Sequence, residues 1–361
     1  MSDGDAPADD LAGGTAQGAT RAAAVVIGRN EGVRLIACLE SLSGRCAPLV
    51  YVDSGSSDDS VAAAAARGAE VVALDMNKPF TAARARNAGL ARIGADAAPY
   101  VQFVDGDCIV ELGWIETAAD FLDDRSDVAA VAGRLTERFP EATVYNRLCA
   151  IEWQAEPGAS DATGGIAMMR RHALAEAGGF NETMIAGEEP ELCLRLARAG
   201  WAIWRLDHPM ALHDAAMARF GQFWMRSIRA GWAALEGALM HGGGPERYNR
   251  ARVRSTLIWG LAMPLTALAG GLGGIVAAFA GLLSLASASF AVASLAVALA
   301  ALQMVRLMQQ RLRRGDGWRI ALAFAWFTMV AKPAQVIGMA RLLRRNLRGG
   351  TAGLIEYRRA G

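Results

Sequence analysis

Between Arg254 and Arg306 the chain carries no Asp, Glu, Lys, Arg or His, so Ser255 to Val305 is an uncharged run of 51 residues, rich in Ala, Leu, Val and Gly. About 20 apolar residues make one helical crossing of a bilayer, whose hydrocarbon interior admits only backbone that satisfies its own hydrogen bonds. The run therefore predicts a helical hairpin of two spans over 255–305, turning near Ser284 to Ser289. It also explains the composition: 53% hydrophobic residues and a mean hydropathy of +0.21 are high for a soluble domain. Residues 306–361 hold 12 Lys and Arg against 2 acidic residues, a balance of +10, so residues 1–305 carry −9 of the total of +1. Arg247, Arg250, Arg252 and Arg254 precede the hairpin, and Arg311, Arg313 and Arg314 follow it. Basic residues beside spans stay in the cytoplasm, so both ends are expected inside.

A third apolar segment, 318–340, is interrupted by Lys332-Pro333 and followed by Arg341, Arg344, Arg345 and Arg348. Proline removes a helical hydrogen bond and lysine is costly at bilayer depth, so this segment is expected to re-enter or lie in the interface, inside a basic cytoplasmic tail of 306–361 that touches anionic lipid. Residues 1–20 read as a disordered tail, without the basic start and apolar core of a signal peptide. Residues 216–254 place Phe220, Phe223, Trp224, Ile228, Trp232 and Leu235 near helical spacing, an amphipathic or interfacial region. Cys38, Cys46, Cys108, Cys149 and Cys193 are scattered, with no Cys-x-x-Cys pair; they predict buried filler in a reducing compartment.

Residues 21–215 alternate strand and helix. Ala22–Ile27, Pro48–Val52, Glu70–Leu74 and Tyr100–Val104 are unbroken apolar runs, as buried parallel strands are, and Ala202–Leu206 is a later strand. Leu35, Leu39 and Leu42 mark one helix, Thr81–Ile93 another, and Ser57 or Asp58 is placed to cap an alanine-rich third. In such a sheet ligands sit at the carboxyl ends of the strands, which gathers Gly28-Arg29-Asn30-Glu31, Asp53-Ser54-Gly55 and Asp105-Gly106-Asp107 on one rim. Two carboxylates around a glycine make an oxygen-rich site for Mg²⁺ or Mn²⁺, whose remaining coordination positions suit phosphate oxygens. The dinucleotide fingerprint and the Gly-x-x-x-x-Gly-Lys loop are both absent, and the acidic N-terminal part argues against nucleic acid as a partner.

Six ordered segments carry a resemblance: Val25 to Glu31, Val52 to Asp58, Ala85-Arg86-Asn87-Ala88-Gly89, Asp105-Gly106-Asp107, Gly178-Gly179-Phe180, and Gly187-Glu188-Glu189-Pro190-Glu191-Leu192-Cys193-Leu194-Arg195-Leu196. Over Ala22 to Leu239 the chain resembles the family 2 glycosyltransferases, of the membrane-anchored bacterial type. The resemblance implies an α/β fold of GT-A class, a Rossmann-like mixed sheet, followed by membrane helices. It implies Asp105 and Asp107 at the cation, with Asp105 also near the ribose, and His213 as a further metal ligand. Asn30, Glu31 and Asp53 would meet the nucleotide, and Arg86, in preference to Arg84, its diphosphate.

Glu189 would be the base that activates the acceptor hydroxyl, paired with Glu188 where relatives carry Glu-Asp, and Trp153, Gly164 and Gly165 would line the acceptor cavity. Ser54 stands where many relatives have a second aspartate, which leaves a UDP- or GDP-linked donor open. The activity so implied is inverting, metal-dependent sugar transfer to a lipid-linked or glycan acceptor in envelope polysaccharide or glycolipid assembly, at the cytoplasmic face of the bacterial inner membrane. Transfer onto a polyprenyl phosphate, or a silent scaffold of a glycan export complex, are the alternatives.

Overall fold

A computed structural model of the protein describes residues 20–94 and 97–348. The expected tail of 1–20 lies outside the described residues except for Thr20, as do the last residues of the basic tail, 349–361. The first half winds β1 (Ala22–Gly28), α1 (Val33–Leu42), β2 (Leu49–Asp53), α2 (Ser60–Ala65), β3 (Glu70–Ala73), α3 (Ala82–Arg92) and β4 (Tyr100–Asp105) into a parallel sheet ordered β3-β2-β1-β4. β1 lies inside the sheet, so its run Ala-Ala-Ala-Val-Val-Ile is buried throughout. Leu35, Leu39 and Leu42 recur at i, i+4 and i+7 and bury one face of α1.

The second half adds β5 (Cys108–Val110), α4 (Trp114–Asp124), β6 (Val128–Glu137), α5 (Val144–Glu152), β7 (Gly158–Ala159), β8 (Ala167–Arg170), α6 (Arg171–Glu176), α7 (Glu188–Arg198) and β9 (Ala202–His213). The sheet continues β4-β8-β6-β9-β5, with β8 antiparallel to β4 and β7 on β9, so it is mixed. One apolar core packs on each face of this sheet. Two local expectations are corrected. Neither Ser57 nor Asp58 takes the cap position of α2, which falls on Asp59; Asp58 Oδ1 instead accepts from Ser60 N at 3.0 Å, an Asx turn just before the helix. The strand begun at Ala202 runs on to His213, because β6 pairs with it along that length.

Beyond the sheet come α8 (Phe220–His241), α9 (Arg250–Leu257), a π-helical turn (Ile258–Ala262), α10 (Met263–Phe279), α11 (Leu283–Arg313) and α12 (Trp318–Arg348). Among the described residues three stretches, Arg250–Phe279, Leu283–Arg313 and Trp318–Arg348, are long and apolar enough to cross a membrane. The hairpin turns earlier than expected: α10 ends where Leu282 N–H returns to Ala277 O at 2.8 Å, and Ser284 to Ser289 lie in α11. There the Ser287 hydroxyl donates to Ser284 O at 2.9 Å, so a serine inside an apolar helix finds its partner locally and marks no turn.

Pro333 does not interrupt the third segment, which is one helix of 31 residues. Packing along α8 supports it: Phe327 meets the Phe223 ring, a Cβ on Gly338 would lie 1.9 Å from Ile228 O, and Arg345 donates to Glu236 Oε1 at 3.1 Å. The apolar residues Ile228 and Trp232 of α8 are thereby buried against Ala334 and Leu342 of α12.

Candidate active site

β4 delivers Asp105 at its carboxyl end, the chain turns at Gly106, and β5 returns antiparallel to β9 with Cys108 opposite His213. That register sets Asp107 beside His213, with Oδ2 and Nε2 3.2 Å apart. The Trp153 ring stacks on the imidazole at 4.4 Å between centroids and 18° between planes, which fixes its orientation. Asp107 is buried, whereas the Asp105 side chain is 36% exposed and faces the rim. Glu137, which the sequence did not single out, ends β6 opposite His213 and accepts from Ala215 N at 3.0 Å and Asn146 Nδ2 at 3.0 Å. Asn146 Oδ1 accepts in turn from Met217 N at 3.1 Å, so these two buried side chains hold the segment that follows the histidine. Burial pushes the Glu137 carboxyl up.

Arg86 on α3 is buried and bridges the two halves of the rim. Its Nη2 donates to Asp105 Oδ1 at 3.0 Å and its Nη1 to Glu188 Oε1 at 2.6 Å, over the Phe180 ring. Burial alone would raise the Glu188 carboxyl, but the neighbouring guanidinium outweighs it and holds the group below the ordinary range. Asn87, next in the chain, exchanges two hydrogen bonds with the Phe180 backbone, at 2.8 and 2.9 Å, and so locks the Arg-Asn segment to the Gly-Gly-Phe loop. Arg84 points elsewhere: it donates to Asp75 O, Lys78 O and Pro79 O and secures the loop before α3.

Glu189, one residue beyond Glu188 in the first turn of α7, is buried. Its Oε1 accepts from Thr163 N (2.6 Å), Thr163 Oγ1 (2.7 Å) and Cys193 Sγ (3.0 Å), and its Oε2 from Gly164 N (3.0 Å). Gly164 and Gly165 have φ of +97° and +95°, which side-chain-bearing residues rarely adopt, and a Cβ on Gly164 would meet nothing within 4 Å. A side chain at Gly164 would therefore enter open space, while Glu189 itself is 3% exposed. Arg205 of β9, also missed in the sequence, donates to Thr163 O at 3.0 Å and Gly133 O at 2.9 Å, and so fixes the loop that grips Glu189.

Asn30, Glu31 and Asp53, expected at the nucleotide, sit at neighbouring strand ends and organise their own loops. Asp53 accepts from Gly55 N and Ser56 N, both at 3.0 Å, and from the Tyr51 hydroxyl at 3.1 Å. Asn30 Oδ1 accepts from Ser57 N at 2.7 Å, tying the loop after β1 to the loop after β2. The Glu31 side chain pairs with Arg34 at 2.7 Å and passes beside Gly106. Asp105, Asp107, His213, Trp153, Arg86 and Glu188 are thus linked through contacts and the short Asp-Gly-Asp turn, while Asn30, Glu31 and Asp53 flank that group on the same rim.

Residues 24–178 match the model of glycosyl transferase family 2, a span from β1 to the loop after α6 that contains Asp105 and Asp107. Over this segment the chain is similar to the family 2 glycosyltransferases. A pre-mycofactocin glycosyltransferase of Mycobacterium tuberculosis, from strains CDC 1551 / Oshkosh and ATCC 25618 / H37Rv, is 29% identical to the chain over 197 residues, 50% of this chain and 39% of that protein. The chain therefore spans about two fifths of the length of these curated relatives. The mannosyltransferase PcManGT from Pyrobaculum calidifontis, solved in complex with GDP-Man and Mn²⁺, shares the fold, with a TM-score of 0.56 at 18% identity over 90% of this chain and 87% of that one. Asp107 carboxylate and His213 imidazole, in contact, suit a hard divalent cation, whereas Asp105, two residues before, stands outside that cluster and pairs with Arg86. Cys108 Sγ lies in the same cluster, but burial pushes its thiol well up, so it stays a protonated soft donor.

Proposed function

We propose that the protein transfers a sugar, with inversion, from a nucleotide-sugar donor to a lipid-linked acceptor at the cytoplasmic face of the bacterial inner membrane, in envelope polysaccharide or glycolipid assembly. The observation that carries this reading is the bridge Glu188–Arg86–Asp105, which couples the cation-type carboxylates to the Glu188-Glu189 pair in a domain whose residues 24–178 are similar to the family 2 glycosyltransferases. Three apolar helices follow that domain, and holding it at a bilayer raises the effective concentration of a lipid acceptor.

Asp107, His213 and Asp105 would hold Mg²⁺ or Mn²⁺, which when bound neutralises charge on the departing nucleotide diphosphate. Asn30, Glu31 and Asp53, on the loops after β1 and β2, would take the nucleoside end of a UDP- or GDP-linked donor. Arg86 fixes Asp105 and is placed to share its charge with diphosphate oxygens. Glu189 would receive the acceptor's proton. Oε1 already takes three donors and Oε2 only one, so Oε2, beside the bare Gly164, is the oxygen with capacity for an incoming hydroxyl. Trp153 would offer the acceptor the ring face turned away from His213. One displacement with base and leaving group on opposite sides inverts the anomeric carbon.

A panel of nucleotide sugars, with hydrolysis and transfer measured in the presence of Mn²⁺, tests the reading. Asp107→Asn should lose activity by at least about a hundredfold, since the cation's contribution is worth several kcal/mol. Glu189→Gln, whose amide oxygen still accepts from Thr163, should lose about 10²–10⁴-fold. Full activity in Glu189→Gln would instead favour transfer onto an already anionic polyprenyl phosphate, and failure of the wild-type protein to bind any nucleotide with Mn²⁺ would favour the scaffold.

A further inference from the structure

The two arginines that bound the uncharged run, Arg254 and Arg306, stand 52 positions apart in the chain and line one cavity of about 400 Å³ between α9 and α11. Ser255, Trp259, Gln303 and Gln310 line it with them, and no Asp or Glu does. Among the described residues neither arginine has a carboxylate partner. Two uncompensated guanidinium groups, two amides and a hydroxyl form a donor-rich pocket, and such a set matches phosphate oxygens. The wall on the α9 side passes into the π-helical turn Ile258–Ala262, an irregularity often found at functional sites. Because a hairpin that goes out and returns brings its two bounding residues to one membrane face, the cavity lies at head-group depth, where Trp259 is also at home.

We infer that this cavity binds the phosphate that joins the acceptor lipid to its glycan, and so anchors the acceptor beside the catalytic domain; the inference rests on the lipid-linked reading above. A bulk phospholipid needs only scattered surface arginines, whereas here the donors line one open cleft between two helices. The α11 wall also leads to the active site. Gln310 is followed by Arg311, whose Nη2 donates to Gln154 Oε1 at 3.2 Å, and Gln154 is the neighbour of Trp153 stacked on His213. Gln310 on the cavity face of α11 and the contact with the domain at Arg311 thus fall within one turn of each other on the same helix.

The test uses the full chain in phosphatidylcholine nanodiscs doped with undecaprenyl phosphate, undecaprenol or phosphatidylglycerol, with bound lipid read by native mass spectrometry. Wild-type protein should retain undecaprenyl phosphate over both of the others. R254Q/R306Q should weaken that retention about a hundredfold, about tenfold for each lost charge-assisted contact, while R254K/R306K recovers much of it. Mn²⁺-dependent nucleotide binding, measured on the same samples, should be unchanged in both variants, which shows that they fold and separates this site from the catalytic reading. Equal retention of phosphatidylglycerol, or equal retention of undecaprenyl phosphate by R254Q/R306Q, overturns the inference. Loss of nucleotide binding in the wild type would sink the catalytic reading instead.

Discussion

Arg86 is the residue on which the rim depends, because it neutralises a buried glutamate and a half-exposed aspartate at once. Replacing it by methionine removes the ion-pair partner of Glu188, 8% exposed, and leaves only the Coulombic influence of Arg229. Removing one partner of a buried pair costs about 3–5 kcal/mol, whereas replacing both by apolar groups is often close to neutral. Arg86→Met should therefore lower stability to chemical denaturation by about that much, and adding Glu188→Leu should restore most of it. The pH dependence has a definite sign. The Glu188 carboxyl lies below its ordinary 4.5 in the folded protein, so its contribution is present above that value and is lost as pH falls through the lower folded one. The stability gap between wild type and Arg86→Met should narrow on acidification below about pH 4.5, which denaturant titrations at several pH values would read. Arg86 was legible in the sequence through its motif; its bridging role was not, since Glu188 lies 102 residues away.

At the scale of elements, strands β1 to β4 and the helices α1 and α3 were readable because each is set by its own periodicity or its own cap, such as Thr81 accepting from Arg84 N at the start of α3, whereas β5 to β8 were not. The path of α12 was not, because Pro333 acts locally while the support for an unbroken helix comes from α8. Gly231 and Gly338 let the two backbones touch: an added Cβ would lie 2.0 Å from Gln335 O and 1.9 Å from Ile228 O respectively. Gly338→Val should push α12 off α8 at a cost of about 1–3 kcal/mol, as overpacking generally does. Faster hydrogen exchange over Ala334–Leu342, and new tryptic cleavage at Arg341 to Arg345, would report the separation.

For the whole molecule, the hairpin and α12 are expected to differ. α12 lies along α8, the helix that follows the catalytic domain, from Phe327 to Arg345, so we expect it to stay in the plane of that domain rather than cross. All five native cysteines are buried, which leaves a low background for labelling by a membrane-impermeant maleimide. In intact cells Ala280→Cys, at the hairpin turn, should label, while Trp318→Cys and Asn346→Cys should label only after lysis. Labelling of Asn346→Cys from outside would make α12 a third span.

The sequence by itself determined the apolar helical hairpin, the parallel half of the sheet and the carboxylates at its rim. These follow from charge exclusion, from buried-strand patterning and from motifs only a few residues long, all of which act over short distances along the chain. Tertiary structure alone decided which distant groups meet. The β5–β9 register put His213 on Asp107, the approach of α7 to α3 put Glu188 on Arg86, and the return of α11 to α9 put Arg306 beside Arg254. Such pairings depend on how whole elements pack, and no local pattern records the partner that packing will supply.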